Sequence, residues 1–184
     1  MFASRHFPAA SIRANVIPAY RAHFHLTRKS LVAIGDTIPD LELMENSPGN
    51  KVSIAKELGP RGLIIGVPAA YSPACSESHI PGYIHSAKLQ DAGPVFVVSV
   101  NDAFVMKAWG KSLDPEGKSG IRFLADPHAA FTKALEMDFD GTAIFGGARS
   151  KRYALVVEDG KVKAAHVESD NTGVKDTTAD KVLG

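Results

Sequence analysis

The single cysteine of the chain, Cys75, has neighbours that favour a reactive thiolate. An apolar run that ends at Val67 precedes it and helix start signals follow it, so the sequence predicts strand, turn and helix with Cys75 at the helix entrance. Free backbone N–H groups and the positive end of a helix dipole stabilise a thiolate, the nucleophilic form of cysteine. Pro68 and Pro73 stiffen the approach, and the Ser72 hydroxyl can donate to the sulfur or to a bound oxygen. A buried cysteine without chemistry is the alternative, but a core residue does not need these neighbours.

The elements that must position Cys75 alternate between strands and helices. The apolar pattern predicts strands at 63–67, 95–100 and 121–124, and a hairpin of 153–157 and 162–167. Start and stop signals predict helices from 75 to about 89, bent at Pro81-Gly82, from 102 to about 113, from 126 to about 137, and from 177 to 183. Residues 47–50 are predicted as a turn and 141–147 as a loop. This succession predicts an α/β fold with a mixed sheet flanked by helices.

The motif around Cys75 resembles the signature of the peroxiredoxins. Pro68-x-x-x-Ser72-x-x-Cys75 matches the family pattern Pro-x-x-x-Thr/Ser-x-x-Cys, and residues 78–83 resemble the five-type subfamily. Three further blocks agree with that subfamily in the same order, at 98–110, 122–127 and 145–153. The resemblance extends from about Leu31 to the end of the chain and implies a thioredoxin-like peroxiredoxin domain over residues 31–184.

The resemblance implies a thiol-dependent peroxidase that reduces hydrogen peroxide and alkyl hydroperoxides and serves antioxidant defence. Cys75 would attack the terminal peroxide oxygen to form a sulfenic acid, and Arg152 would stabilise the charges on sulfur and oxygen. Ser72 would bind the peroxide, and Pro68 would shield the thiolate from bulk water. Backbone N–H groups near Ala74 would complete the substrate contacts.

Two basic residues are expected to support this site, His79 and Arg149. His79 lies four residues after Cys75 and could face the sulfur as a general base, although the resemblance implies a supporting role. A Cys-His acyl-transferase or hydrolase that uses Cys75 and His79 is therefore an alternative. It would need a third group to orient the histidine, and none is evident in the sequence.

A second, resolving cysteine is missing. Members of the subfamily that have one near the C-terminus carry it at the position that aligns, through Thr172-Gly173, with Asp176. An external thiol, glutathione with glutaredoxin or thioredoxin, must then reduce the sulfenic acid. The expected partners are a hydroperoxide, this reductant and a second copy of the chain in a homodimer. The alternative function is a peroxide sensor or redox chaperone that uses the same cysteine, and repeated turnover with a thiol reductant distinguishes the two.

The composition of the chain indicates a globular protein and gives no sign of a nucleic-acid-binding or membrane-spanning one. With 184 residues and 45% hydrophobic content, the chain suits one globular domain. A net charge of +1 indicates neither a nucleic-acid partner nor an anionic membrane surface, and no apolar run approaches the roughly 20 residues that span a bilayer. A lone cysteine fits a reducing compartment, and the scattered histidines resemble no metal site, so we expect no metal or cofactor.

The first thirty residues differ in composition from the rest. Basic residues occur there without an acidic residue before Asp36. This composition predicts a mitochondrial transit peptide over residues 1–30, removed near 28–31 on entry to the matrix. Pro8 and Pro18 would interrupt a long amphipathic helix, so a disordered leader on a cytoplasmic protein is the alternative.

Overall fold

The computed structural model describes Met1 and residues 31–184, so the predicted leader lies, apart from Met1, outside the described residues. Within 31–184 the strands are β1 (Glu42–Glu45), β2 (Ser47–Ser53), β3 (Arg61–Val67), β4 (Val95–Ser99), β5 (Arg122–Ala125), β6 (Asp138–Asp140), β7 (Ala148–Ser150), β8 (Tyr153–Glu158) and β9 (Lys161–Val167). The α-helices are α1 (Ile54–Glu57), α2 (Ile80–Ile84), α3 (Ala103–Leu113), α4 (Ala130–Ala134), α5 (Thr142–Phe145) and α6 (Ala179–Leu183). A π-helix spans Ala74–His79 and a 3₁₀-helix spans Leu89–Ala92.

Seven strands form one sheet in the order β2-β1-β5-β4-β3-β8-β9, and β6 pairs with β7 in a separate hairpin. Strands β3, β4 and β5 run parallel, whereas the other pairs are antiparallel. The expected mixed sheet with flanking helices is therefore confirmed.

The central strands send alternate side chains into two cores, as a strand buried on both faces must. In β3, Ile64 packs into the core that contains Ile54 of α1 and Phe131 of α4. Its neighbour Ile65 packs into the opposite core, which is covered by the π-helix, α2, α3 and α6. Cys75 belongs to this second core, so the sulfur lies on that face of the sheet.

The predicted strands and the predicted start of α3 are confirmed. The hairpin of β8 and β9 turns through Asp159 and Gly160, which both have positive φ, at 49° and 73°, as a two-residue type I′ turn requires. The Asp102 carboxylate caps α3 by accepting hydrogen bonds from the Phe104 and Val105 N–H groups.

The single bent helix predicted from 75 to about 89 is wrong in type and extent. The chain first makes the π-helix, in which the Ile80 N–H donates to the Cys75 carbonyl five residues earlier. Pro81 then lies in the first turn of α2, where its missing N–H leaves no hydrogen bond unmade. The helix ends at Ile84, and the Ser86 hydroxyl accepts a hydrogen bond from the Lys88 N–H in the turn that follows.

Three other predicted boundaries are corrected. The helix expected over 126–137 is limited to α4, because Ala129 has a left-handed conformation with φ 54° and the Asp126 carboxylate binds the N–H groups of Ala130 and Thr132. The turn expected at 47–50 lies instead at Asn46, whose φ is 61°, and β2 runs through that range. The final helix begins at residue 179 rather than 177.

The loop predicted over 141–147 contains the short helix α5 between β6 and β7. Gly146 closes this helix with φ 78°, the left-handed conformation that glycine adopts readily. In residues 31–184, no helix is long and apolar enough to cross a membrane.

Candidate active site

Cys75 follows the carboxyl end of β3, at the edge of the sheet where a parallel α/β arrangement places its reactive groups. The loop after β3 is tied to the loop after β4 through Asn101, whose side-chain oxygen accepts from the Ala70 N–H at 3.0 Å and from the Ser99 hydroxyl at 2.8 Å. The segment that presents Cys75 is therefore anchored to the neighbouring parallel strand.

Arg152, which is distant in sequence, meets Cys75 and His79 beside the second core. Arg152 Nη1 lies 3.2 Å from Cys75 Sγ and 3.1 Å from His79 Nδ1. Each of the three residues is at most 1% exposed. Arg152 reaches the sulfur because the next residue, Tyr153, begins β8 and pairs with Gly66 in β3, just before the chain turns toward Cys75.

Backbone carbonyls hold the Arg152 guanidinium. Its Nε donates to the Gly173 carbonyl at 2.7 Å, and its Nη2 donates to the Thr172 carbonyl at 3.0 Å. No carboxylate of residues 31–184 forms a salt bridge with Arg152. Because neutral carbonyls orient the cation, no paired carboxylate cancels its positive charge beside the sulfur.

His79 is a neutral acceptor in this arrangement. Its Nε2 lies 3.0 Å from the Thr177 carbonyl, which can only accept, so the proton is on Nε2 and Nδ1 accepts from Arg152. Burial, and then the nearby Arg152 charge, lower the pKa of His79 from 6.5 to about 3. Tyr83 also donates to the Thr177 carbonyl, at 2.7 Å. The free lone pair that a general base needs is therefore already used, which argues against the Cys-His acyl-transferase alternative.

The Ser72 hydroxyl does not donate to the sulfur, contrary to one of the two expectations for it. It donates to the Ala69 carbonyl at 3.0 Å, which leaves its oxygen available as an acceptor. Pro68, the first residue after β3, is buried, whereas Ala74, the first residue of the π-helix, is exposed. In the described part of the chain, the N–H groups of Ala74 and Cys75 donate to no backbone or side-chain acceptor.

The structure does not bring Arg149 to the sulfur. Its guanidinium in β7 donates to the carbonyl of Val100 and, at 3.0 Å, to that of Phe145, and it lies 5.6 Å from the centre of the Phe145 ring. Arg149 therefore ties the β6–β7 hairpin to the residue that follows β4.

Sequence reasoning missed Glu168, which immediately follows β9. One of its carboxylate oxygens accepts from the N–H groups of Lys175, Asp176 and Thr177 at 2.7, 2.7 and 2.9 Å, and from the Thr177 hydroxyl at 2.8 Å. Burial opposes ionisation, but these hydrogen bonds prevail and lower the pKa of Glu168. An acidic residue at the end of an alternating strand is ordinarily exposed, so the sequence carries no clear signal of this role.

Asp176 stands where the resemblance places a resolving cysteine. Its side chain is exposed and accepts from Lys181 Nζ at 2.9 Å. Among residues 31–184, no three His, Cys, Asp or Glu side chains lie close enough together to hold a metal ion.

Comparisons with known proteins place this geometry in a known group. The sequence model of the Redoxin family matches residues 33–183. Peroxisomal membrane associated protein 20 of Schizosaccharomyces pombe is 44% identical over 156 residues, covering 83% of this chain and 98% of that protein. Peroxiredoxin 5 from Alvinella pompejana has a TM-score of 0.69 at 38% identity, covering 77% of this chain and 92% of the other. Reduced Prx3 from Vibrio vulnificus in complex with hydrogen peroxide has a TM-score of 0.74 at 38% identity. The match covers 83% of this chain and 98% of the other.

Proposed function

The chain belongs to the Redoxin family and is a peroxiredoxin, and from this premise we propose that Cys75 is its peroxidatic residue. As a peroxiredoxin it has a thioredoxin-like fold and is a thiol-dependent peroxidase. The observation that carries the assignment is the 3.2 Å contact between Cys75 Sγ and Arg152 Nη1 in a buried site. A permanent cation at hydrogen-bonding distance favours the thiolate, which is the form that reacts with a peroxide.

In the proposed reaction, the Cys75 thiolate attacks the terminal oxygen of ROOH. A sulfur–oxygen bond forms as the oxygen–oxygen bond breaks, and the departing alkoxide takes a proton from solvent to give ROH. The sulfur is oxidised to sulfenic acid and the peroxide is reduced. Arg152 stabilises the thiolate first and then the negative charge that develops on oxygen.

The remaining residues of the site serve the substrate and the arginine. The Ser72 oxygen accepts the peroxide hydroxyl, while the N–H groups of Ala74 and Cys75 donate to its oxygens. Pro68 limits access of bulk water. These roles predict that Ser72→Ala raises the KM for peroxide more than it lowers kcat, since it removes a substrate contact. An unchanged KM would remove Ser72 from the substrate site.

His79 and Arg149 have supporting roles in this proposal. His79 Nδ1 fixes one Arg152 nitrogen, and Arg149 binds the carbonyls of Val100 and Phe145. His79→Leu should therefore slow the peroxide reaction, because it leaves Arg152 Nη1 with one partner fewer. A wild-type rate in that variant would contradict the role.

The test of the nucleophile is peroxide consumption by Cys75→Ser, which replaces the reactive sulfur with a group of similar size. We expect no turnover above background in a protein with unchanged circular dichroism. Arg152→Gln should lower the rate by about 10² to 10³, the effect of losing one charge-stabilising donor. Lys151→Gln is the matched control, since it removes the adjacent positive charge without touching the sulfur. Substantial activity in Cys75→Ser would overturn the assignment.

We also propose that an external thiol completes the cycle, because the chain has one cysteine and Asp176 in place of a resolving thiol. A first thiol would attack the sulfenic sulfur and release water, which leaves a mixed disulfide with Cys75. A second thiol would attack the outer sulfur of this mixed disulfide, so that the two external thiols become a disulfide and the Cys75 thiolate is released. Supplying glutathione, glutaredoxin and thioredoxin separately identifies the reductant. If none of them sustains repeated turnover, the peroxide sensor or redox chaperone replaces the peroxidase cycle.

A homodimer is proposed from the apolar side chains exposed around the carboxyl edge of the sheet. Tyr71, Phe104 and Ile144 are 55%, 65% and 76% exposed. They flank loops that Asn101 and Arg149 already join. Burying such side chains against a second copy would remove apolar surface from water. Phe104→Ser should weaken the association measured by sedimentation, and a monomeric wild-type protein at high concentration would refute the dimer.

For localisation, we propose that residues 1–30 direct the chain to the mitochondrial matrix, on the strength of their basic, acid-free composition. The Schizosaccharomyces pombe relative is named for the peroxisomal membrane, which makes a peroxisomal destination an outcome to distinguish. A fluorescent reporter fused to residues 1–32 should enter mitochondria. Retention in the cytoplasm or entry into peroxisomes would contradict the proposal.

A further inference from the structure

Glu168 lies at the base of the loop that holds the catalytic arginine. Its N–H donates to the Arg152 carbonyl at 3.0 Å, and its own carbonyl accepts from the Asn171 N–H at 3.2 Å. Its carboxylate binds the far end of the same loop at residues 175–177. One residue therefore fastens both ends of the segment 168–177.

That segment presents its carbonyls toward the catalytic groups. Thr172 and Gly173 accept from the Arg152 guanidinium, and Thr177 accepts from His79 and Tyr83. The N–H groups of 175–177 donate instead to the Glu168 carboxylate. The carbonyl positions that aim Arg152 at the sulfur therefore depend on where this carboxylate lies.

The Glu168 carboxylate is costly to bury and is not paired with a cation. Glu168 is only 3% exposed, and no Lys, Arg or His of residues 31–184 forms a salt bridge with it. Its titratable neighbours include His79 and Tyr83 from the helical segment, and Arg152, which immediately precedes β8. Its own segment adds Asp170, Lys175 and Asp176. Since only backbone N–H groups and one hydroxyl stabilise this buried charge, the carboxylate can stay ionised only while the loop keeps these donors in place.

We propose that Glu168 is a positioning residue for peroxide reduction: its carboxylate fixes the loop whose carbonyls orient Arg152 and His79, and thereby controls the reactivity of Cys75. The inference rests on the proposed role of Cys75. It assigns to Glu168 no contact with the peroxide.

The substitution Glu168→Asp distinguishes an effect of the carboxylate's position from an effect of its charge. Glu168→Asp keeps the negative charge but withdraws the carboxylate by one methylene, so an effect of charge alone would leave the site unchanged. An effect of positioning should lower the thiolate fraction of Cys75 near pH 7 and slow the reaction with hydrogen peroxide by about 10-fold to 100-fold, since small misplacements of a catalytic group have effects of this size.

The measurements are the ultraviolet titration of the Cys75 thiolate in the reduced protein and the single-turnover rate with hydrogen peroxide. Leu58→Ala is the control, because Leu58 is buried in the core on the other face of the sheet from Cys75, together with Ile64 and Ile54. Its loss destabilises the fold without touching the site. The thiolate titration uses no peroxide, so it remains informative even if Cys75→Ser shows that the peroxidatic assignment is wrong.

Thr177→Val provides a second test in case Glu168→Asp does not fold. It removes the hydroxyl that donates to Glu168 and keeps the backbone N–H and carbonyl of the loop. As in Glu168→Asp, we expect both the thiolate fraction and the rate of the peroxide reaction to fall. The decrease should be about two- to threefold, the effect of weakening one hydrogen bond. Wild-type titration and rate in a folded Glu168→Asp, or in Thr177→Val if the first variant is unfolded, would overturn the proposal.

Discussion

A buried guanidinium can be held either by neutral hydrogen-bond acceptors or by a carboxylate, and beside Cys75 the neutral acceptors hold it. Arg152 donates to carbonyls and to the His79 ring, and no carboxylate of the described residues pairs with it. A carboxylate partner would satisfy the guanidinium equally well but would cancel much of the field at Cys75. In the proposed reaction, holding the cation with neutral acceptors would keep that field for the Cys75 thiolate and for the peroxide oxygen.

The neutral state of His79 gives a prediction about pH. Its pKa falls from 6.5 to about 3 on folding, so the unfolded chain binds a proton more readily than the folded chain between these values. Stability from this residue is complete above about pH 6.5 and is lost as the pH falls, by about 2 kcal/mol between pH 7.5 and pH 5.

Denaturant unfolding of the wild type and His79→Asn across this range measures the effect. Asparagine offers Arg152 an acceptor but does not titrate, so the variant should lack this part of the pH dependence. At the lower limit of pH 5, carboxylates such as Glu168, whose pKa is itself lowered in the folded state, are still mostly ionised, and they contribute in the same way to both proteins. Parallel curves for the two proteins would contradict the assignment of His79 as a buried neutral group.

The strands are easier to predict from the sequence than the helical segment that carries the cysteine. The pattern of β3 is set by burial on both faces, which is a property of its own residues. The π-helix depends on a hydrogen bond from Ile80 to Cys75 and on Pro81 in the next turn, which a spacing rule for α-helices does not describe. Its wide turn places Cys75 and His79 on one side, facing Arg152.

The pairing of β3 with β8 brings Arg152 close to Cys75, and a substitution at Gly66 can test this role. A Cβ at Gly66 would overlap the ring of Tyr153, the residue next to Arg152. Gly66→Ala should therefore destabilise the fold by about 1–3 kcal/mol, as overpacking of a core does. It should also slow peroxide reduction, because the displaced Tyr153 moves the start of β8.

Gly49→Ala in β2 is the matched control. A Cβ at Gly49 meets no atom within 4 Å, and its stability should change by no more than about 0.5 kcal/mol. Thermal unfolding and the single-turnover peroxide rate of both variants provide the measurement. Equal effects of the two substitutions would mean that the contact of Gly66 with Tyr153 does not set the geometry.

For the whole molecule, the sequence predicts the sheet, the cysteine and its arginine, but not the support around them. Arg152 could be named through the family resemblance, whereas its contact with Cys75 arises from strand pairing between residues far apart in the chain. Glu168 and the direction of the Ser72 hydroxyl depend on how loops fold back on themselves. Such hydrogen bonds leave no periodic pattern in the sequence.

The fate of the oxidised protein follows from its single cysteine. Cys75 is the single cysteine, and the exposed Asp176 occupies the place of a resolving thiol, so no internal disulfide can form. One equivalent of peroxide should give a sulfenic acid that persists until another molecule supplies a thiol. Glutathione should convert it to a mixed disulfide, and excess peroxide without thiol should carry it to sulfinic acid and end activity within a few turnovers.

Intact-mass spectrometry identifies these products as one added oxygen, a glutathione adduct and two added oxygens, respectively. Cys75→Ser measures the oxygen taken up by methionines, so any gain above its level belongs to the sulfur of Cys75. A dimer joined through two Cys75 sulfurs, formed on mild oxidation and required for turnover, would contradict the one-cysteine cycle. Because Cys75 is buried in the second core, a disulfide with any partner requires the segment around Cys75 to open, and this dimer requires that opening in both copies.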